Sequence, residues 1–112
     1  MTMTTTPAWE TKRTPETHKV EDLLKPHFGQ ADSYRYNSAT IRVRVIDPQF
    51  EGMAREKRDA MVEQYLDTLP AETQRDIVTL LTFAPSELQG TPTSFRERML
   101  NAEFEDAGPP ML

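Results

Sequence analysis

The fold of this chain is decided by residues 41–53, which read IRVRVIDPQFEGM. Three β-branched residues alternate with two arginines over positions 41–45, and a period of two is typical of a strand with one buried face. Pro48 ends the strand, because proline has no amide hydrogen to donate to a sheet ladder. Gly52 then precedes an amphipathic stretch over about residues 54–68, in which apolar side chains recur at helical spacing. The stretch therefore predicts a strand, a turn and a long helix in succession.

A second strand is predicted directly before the first. Tyr34 and Tyr36 alternate with Arg35, and Asn37-Ser38 has the composition of a turn. The pattern predicts an antiparallel hairpin over about residues 32–47. Its core face is expected to hold Tyr34, Tyr36, Ile41, Val43 and Val45. Its other face is expected to hold Arg35, Arg42 and Arg44.

Helices are predicted on both sides of the hairpin. Thr14 and Pro15 suit the N-cap and first position of a helix that ends near Pro26. Pro70 ends the long helix and can open another turn. Residues 76–83 fit a helix by apolar spacing and a strand by composition, and their length and the following Ala84-Pro85 favour a third strand. A last helix is predicted from about residue 91 to residue 104.

The organisation expected from composition is one domain with polar ends. A chain of 112 residues fits one domain of common size. Residues 1–13 and 107–112 carry too little apolar surface to offset the entropy of ordering them. We therefore expect disorder over residues 1–13, a single α+β domain over residues 14–106, and a disordered tail over residues 107–112.

Composition also limits the possible chemistry and location. The chain has no cysteine, which excludes disulfides and thiolate sites. It has no apolar run of the roughly 20 residues needed to span a bilayer, and no secretory signal pattern. We therefore expect a cytoplasmic protein without a membrane partner. The net charge of −5 disfavours nonspecific nucleic-acid binding without forbidding it.

No pattern in the chain predicts a catalytic or metal site. His18 and His27 are nine residues apart, whereas a helical ligand pair needs a spacing of four. There is no nucleophile elbow and no glycine-rich phosphate loop, and the paired carboxylates lie in polar segments where burial would not tune them. We expect a noncatalytic protein without a cofactor.

The chain resembles the BolA-like family over about residues 20–88. Residues 41–53 are similar to the second strand of that family and its Phe-x-Gly turn, here Phe50-Glu51-Gly52. Arg58 and Val62 occupy the places of an arginine and a valine on the family's long helix, and residues 83–88 resemble its exit from the third strand. The resemblance implies an α-β-β-α-α-β-α order, with a three-stranded mixed sheet and helices packed on one face.

Two positions depart from the family pattern. The resemblance implies histidines directly after the helix arginine and at the start of the third strand, the latter helping to hold an iron–sulfur cluster shared with a monothiol glutaredoxin. Asp59 and Asp76 stand at these positions. Carboxylates are poor substitutes for imidazole on such a cluster. A cluster-associated role is therefore disfavoured.

Two surfaces remain as candidates for function. Arg35, Arg42 and Arg44 predict a surface for an anion or an acidic partner, or else a solvated strand face that charge protects from aggregation. The C-terminal helix, with Phe95, Met99, Leu100 and Phe104, either covers the sheet or docks on a partner. The leading hypothesis is an interaction or adaptor protein with an unknown protein partner. The alternative is a nucleic-acid-binding protein that uses the arginine face.

Overall fold

The computed structural model describes residues 8–89 and 94–105 of the chain. Within these residues, helices and strands follow one another as α1 Pro15–Leu24, β1 Gln30–Asn37, β2 Thr40–Ile46, α2 Arg55–Leu66, α3 Ala71–Asp76, β3 Ile77–Phe83 and α4 Phe95–Glu105. Short 3-10 helices precede α1 and follow β2 and β3, at Ala8–Lys12, Pro48–Phe50 and Pro85–Leu88. The predicted order of elements is confirmed.

The three strands form one mixed sheet in the order β1-β2-β3. β1 pairs with β2 antiparallel, and β2 pairs with β3 parallel. The parallel pairing requires a crossover, and α2 and α3 provide it. Residues 77–83 are therefore a strand, as their composition and the following proline predict.

Local sequence chemistry defines the first helix and the turn before α2. The Thr14 side chain accepts from the Thr17 amide, while Thr17 accepts from the Thr14 amide, so both amides are capped. Gly52 has φ of 72°, in the left-handed region that favours glycine. Phe50, which lies at the start of this turn, is fully buried.

The register of the hairpin corrects the predicted assignment of its faces. Tyr34 lies opposite Arg42 and Arg35 lies opposite Ile41, because an irregularity between Arg35 and Asn37 adds one residue to β1. Directly opposed residues share a face, and a shift of one residue moves every side chain to the other face. Tyr34 therefore shares its face with Arg42, while Arg35 lies on the face of Ile41.

Helices cover both faces of the sheet. One face packs against α1 and α2 through an apolar cluster that includes Val20, Leu24, Ile41, Val43, Val45, Phe50, Val62 and Leu66. The other face carries a second buried cluster, made of Trp9, Tyr34, Ile46, Leu81, Phe83 and Phe104. The fold class is confirmed, but α4 differs from the expectation that all helices pack on one face. Its Phe104 lies among large side chains that the second face would otherwise expose.

The segment around Trp9 also differs from the expectation of disorder over residues 1–13. Trp9 is 6% exposed. Its indole nitrogen donates to the carbonyl of Phe104, 2.8 Å away, and its ring lies 6.1 Å from that of Tyr34. Residues 8–12 are thereby tied to α4. Residues 1–7 and 107–112, for which disorder is also expected, lie outside the described residues.

Candidate interaction surfaces

Arg42 lies on the α4 side of the sheet in a network of aromatic and acidic groups. Its guanidinium carbon is 3.7 Å from the ring centroid of Tyr36, and its Nη1 donates to the Tyr34 hydroxyl at 3.1 Å. It also forms an ion pair with Glu103 of α4, which accepts a hydrogen bond from the Tyr34 hydroxyl. Burial raises the pKa of Tyr34 although the charge of Arg42 lowers it. The hydroxyl is therefore a donor at neutral pH, and Arg42 is neutralised by α4.

Arg44 is the most deeply placed of the predicted arginines, with a side chain 3% exposed. Its Nη2 is 2.6 Å from the Asp32 carboxylate. Its Nη1 donates to Glu105 at 2.7 Å and to Asn101 at 2.8 Å, both on α4. Its guanidinium lies 4.8 Å from the ring centroid of Phe104. Two carboxylates surround this cation, so it offers no free charge to a ligand.

Arg35 lies on the opposite face of the sheet. Its Nη2 is 3.0 Å from Glu16 of α1 and 3.1 Å from Asp76 at the end of α3. A backbone hydrogen bond and the contact with Arg35 lower the pKa of Glu16. The prediction that Arg35, Arg42 and Arg44 form one face is therefore wrong. The shifted register separates them, and each one is paired with carboxylates.

The C-terminal helix has one buried and one exposed apolar face. Phe104 is 2% exposed, and Leu100 packs against the same cluster. Phe95 and Met99, one turn apart, are 76% and 57% exposed. The hypothesis that this helix covers the sheet is therefore confirmed for one face, and docking on a partner stays a prediction. It packs on the core through two of the four predicted residues and presents the other two to solvent.

Arg58 joins three segments of the chain at the end of β3. Its side chain is 6% exposed, and its Nε donates to the carbonyl of Met53 at 2.9 Å. Its Nη1 donates to the Thr82 carbonyl at 3.2 Å and to Glu87 at 2.6 Å, while its Nη2 donates to Glu87 at 3.2 Å. It also lies 6.0 Å from the ring centroid of Phe50. This family-like arginine therefore links the turn before α2 to β3 and to the 3-10 helix after it.

The contact with Arg58 contributes to a shift in the pKa of Glu87. Burial alone would raise its pKa, but hydrogen bonds from Arg58 and the Ala84 amide, together with the charge of Arg58, lower it below its ordinary value. Glu87 is therefore a charged structural partner at neutral pH. Neighbouring arginines lower the pKa of Glu16 and Glu87, whereas the pKa of Tyr34 is raised by burial against the opposing charge of Arg42.

The two positions that depart from the family pattern hold structural carboxylates. Asp59 accepts a hydrogen bond from the Thr82 hydroxyl at 2.8 Å, and Asp76 pairs with Arg35. His27 stacks on Tyr65 with ring centroids 4.1 Å apart, and His18 lies near Glu21 and Arg13. In the described part of the chain, no three His, Cys, Asp or Glu residues are grouped so that they could hold a metal ion. The donors present do not fit an iron–sulfur cluster.

Sequence reasoning missed several residues that shape these surfaces. Glu103 and Glu105 are the partners of Arg42 and Arg44, but they appear in the sequence as part of an acidic tail. Trp9 lies in a polar segment of the sequence. The signal that could have found it is that it is the only tryptophan in the chain. Its apolar area is large enough to anchor a short segment.

Among the helices of the described residues, none combines the length and the apolar character that crossing a bilayer requires.

Comparison with known proteins gives a structural match. No family model matches the chain, and no curated protein matches it. The structure is similar to the solution structure of BolA1 protein from Mus musculus, with a TM-score of 0.55 and 20% sequence identity over 88% of this chain and 80% of that chain. The arrangement that the sequence predicts from its resemblance to the BolA-like family is a three-stranded mixed sheet with this order of helices and strands. The structure has that arrangement. The chain therefore has a BolA-like fold.

Proposed function

We propose that this protein is a noncatalytic interaction or adaptor protein that docks a partner protein on the outer face of α4. The observation that supports the proposal is the exposure of Phe95 and Met99, which are 76% and 57% accessible on adjacent turns of one helix. Large apolar side chains exposed side by side are typical of interaction sites, because their burial against a partner is favourable.

The helix that carries these residues is held firmly on the sheet. Phe104 is buried, and its carbonyl accepts the hydrogen bond from the Trp9 indole. Ion pairs attach α4 at both ends, with Glu97 2.6 Å from Arg55 and Glu105 2.7 Å from Arg44. A surface that is already ordered loses little conformational entropy when it binds. The outer face of α4 is therefore pre-organised for a partner.

The charges around the apolar pair define the chemistry of the partner. Arg96 and Arg98 are both exposed, and at 100° per residue they lie on either side of Phe95 and Met99. Within residues 8–89 and 94–105, neither arginine forms an ion pair. An apolar groove with an acidic rim would complement this face, in the mode by which amphipathic helices bind grooves.

The noncatalytic part of the proposal is supported by where the ionisable groups are placed. Arg58 is paired with Glu87, and Arg44 is paired with Asp32. The nitrogen–oxygen distance is 2.6 Å in both pairs. A general acid or base must reach the proton that it transfers, whereas these groups are occupied by structural contacts.

The alternative function, nucleic-acid binding by an arginine face, has weaker geometric support. Arg35 lies apart from Arg42 and Arg44, and carboxylates neutralise all three. Phosphate binding needs cations that release counterions on contact. The third hypothesis, a glutaredoxin-associated role, lacks the imidazole donors at Asp59 and Asp76. We retain nucleic-acid binding as an outcome that the experiment distinguishes.

Site-specific photo-crosslinking tests the proposal. A benzophenone amino acid replaces Phe95 in the full chain, in the cells that make the protein, and the same amino acid replaces the exposed Glu56 of α2 as the control. The expected result is one protein adduct at position 95 that is absent at position 56. The protein in that adduct, once purified, is expected to bind the unmodified chain directly.

Any of four results would overturn the proposal. The first three are the absence of a protein adduct at position 95, equal adducts at both positions, and an adduct that nuclease treatment removes. The last of these would favour the nucleic-acid alternative. An adduct between two copies of this chain would also contradict the proposal of a distinct partner.

A further inference from the structure

Helix α2 and strand β3 lie side by side, and a side-chain hydrogen bond joins them at one end of their contact. The Thr82 hydroxyl donates to Asp59 at 2.8 Å. Residues four positions apart on a helix share a side and lie about 6 Å apart along it. The next side chains of α2 along this contact are therefore Glu63 and Asp67. No side-chain hydrogen bond of the described residues joins either of them to β3.

A cleft opens at this second part of the contact. Its volume is about 250 Å³, and its lining residues come from α2, α3 and β3, namely Glu63, Leu66, Asp67, Gln74, Ile77, Val78 and Leu80. Leu66, Ile77 and Leu80 belong to or pack against the apolar cluster between the sheet and α2. Glu63 and Asp67 are exposed. The cleft therefore has apolar walls and an acidic rim.

The polar side chains of the cleft keep unused hydrogen-bond acceptors. Neither Glu63 nor Asp67 forms an ion pair or a side-chain hydrogen bond with any described residue. The side-chain nitrogen of Gln74 donates to the carbonyls of Asp67 at 3.0 Å and Leu69 at 2.7 Å, so its amide oxygen points away from both. Within the described residues that oxygen accepts no hydrogen bond. Three side chains therefore offer acceptors, and an ammonium group has three donors.

An irregularity in β3 places an apolar side chain beside the acidic rim. Ile77 pairs with Ile41 and Thr79 with Arg42, so one step along β2 corresponds to two along β3, and Val78 is the extra residue. Bulges of this kind re-aim a side chain and are common next to functional sites. Val78 is 63% exposed. Its burial against a partner would be favourable.

We infer that this cleft binds a lysine side chain of a partner protein, whose surface also covers Val78. The four-carbon stem of the lysine lies against the apolar walls, as such stems do when only the charged end needs polar contacts. Its ammonium donates to Glu63, Asp67 and Gln74. Lysine fits better than arginine because its charge is compact, whereas a guanidinium is a wide, planar group with five donors.

The size and charge of the cleft favour this occupant over two others. The volume is below the roughly 300–1,000 Å³ of a site for a drug-sized molecule, and a free aliphatic amine would leave Val78 exposed. A second copy of this chain would bring a further net charge of −5 toward an acidic rim, which opposes association. Phe104 of α4 packs on the other face of the sheet, so the inference does not depend on the function proposed for α4.

Titration of the full chain with defined ligands, followed by the NMR amide shifts of Val78 and Leu80, tests the inference. The probe is the end-capped peptide Gly-Ser-Val-Lys-Val-Ser-Gly. One control carries norleucine in place of lysine, which keeps the stem and removes the ammonium. The other is the free amine Nα-acetyl-lysine methylamide. We expect saturable shifts with the lysine peptide at a Kd of about 1 mM or below, and a Kd at least tenfold higher for each control.

Variants at exposed positions locate the binding. Glu63→Gln combined with Asp67→Asn is expected to raise the Kd of the lysine peptide at least tenfold. Glu56→Gln removes an exposed carboxylate of the same helix outside the cleft and is expected to leave that Kd unchanged. Val78→Ser is expected to weaken the peptide but not the free amine. A variant with Phe95→Ser and Met99→Ser, which tests the proposed function, is expected to bind the peptide normally.

Each of the following results would overturn the inference. One is the absence of saturable shifts at Val78 and Leu80 with the lysine peptide up to about 10 mM. Another is an equal Kd for the lysine and norleucine peptides, or an equal loss of binding in Glu56→Gln, since either would show that the acidic rim is not the site. A free amine that binds as tightly as the peptide would identify a small-molecule ligand. Shifts that grow with protein concentration without peptide would show that a second copy occupies the cleft.

Discussion

Replacing Arg58 with methionine should show how much its contacts contribute to stability. Methionine keeps an unbranched apolar side chain near Phe50 but removes every donor that Arg58 offers. The carboxylate of Glu87 loses both guanidinium contacts, and the Met53 carbonyl loses its donor. The Thr82 carbonyl keeps a donor, since Arg55 also bonds it.

The expected loss follows from these contacts. Removing one partner of a buried ion pair costs about 3–5 kcal/mol, because the other charge is left uncompensated. Glu87 is 18% exposed, so water replaces part of the lost interaction. We therefore expect Arg58→Met to lower the free energy of unfolding by about 2–3 kcal/mol. For a domain of this size, that corresponds to a fall in Tm of about 10–20 °C.

Urea unfolding of five proteins measures the effect. They are the wild type, Arg58→Met, Glu87→Gln, the double variant and, as a control at an exposed position of the same helix, Lys57→Met. The control is expected to stay within about 0.5 kcal/mol of the wild type. The double-mutant cycle formed by the wild type, the two single variants and the double variant should yield a coupling energy of about 1–2 kcal/mol between Arg58 and Glu87. The reasoning is refuted if Arg58→Met unfolds like the control, or if the two single effects simply add.

Three further predictions concern Trp9, Gly52 and the titration of Glu87. Trp9→Ala is expected to lower the free energy of unfolding by about 3–5 kcal/mol, measured with urea, and an effect of a few tenths would show that residues 8–12 do not belong to the domain. Gly52→Ala is expected to cost about 1–2 kcal/mol because its φ is 72°, whereas Gly52→Asn should cost less, and equal costs would contradict a purely backbone cause. Glu87 has a lower pKa in the folded than in the unfolded state, so its contribution is present above its unfolded pKa and is lost as the pH falls toward its folded pKa. The difference in the free energy of unfolding between the wild type and Glu87→Gln should therefore shrink below about pH 4.3. A difference that does not change with pH would contradict this prediction.

The hairpin shows what a periodic sequence can and cannot predict. Alternation predicts the strands, since a period of two is a property of each strand alone. The pairing of one strand with another depends on the turn and on any irregularity near it. Here one extra residue in β1 places Tyr34 beside Arg42 and sends Arg35 to the opposite face. No local pattern at Tyr36 announces this irregularity.

The candidate surfaces were predictable to different degrees. The exposure of Phe95 and Met99 and the burial of Phe104 follow from their spacing on a helix once the buried side is known. The neutralisation of Arg42 and Arg44 depends on carboxylates about 60 positions away in the sequence, with separations of 61 residues in both pairs. Contacts of such separation leave no local signal. Arg42 and Arg44 of β2, which the sequence predicts to be free, therefore lie inside the contact between the sheet and α4.

The fold-level resemblance was predictable because its motifs have structural roles. Phe50 is buried, Gly52 takes a positive φ, and Arg58 joins the turn to β3 and Glu87. These contacts belong to the backbone arrangement and do not require any particular function. The positions that would carry the family's chemistry hold Asp59 and Asp76, and both are used in hydrogen bonds or ion pairs within the domain.

The affinity of the partner identified at position 95 for the outer face of α4 tests the central claim most directly. The measurement compares the wild type with a variant carrying Phe95→Ser and Met99→Ser by calorimetry. Both side chains are exposed, so the variant should keep the Tm of the wild type within a few degrees. We expect its Kd to rise by about 30-fold or more, as for the loss of a binding hot spot of 2 kcal/mol. A change of less than about threefold, with the fold intact, would contradict the claim that this face docks the partner.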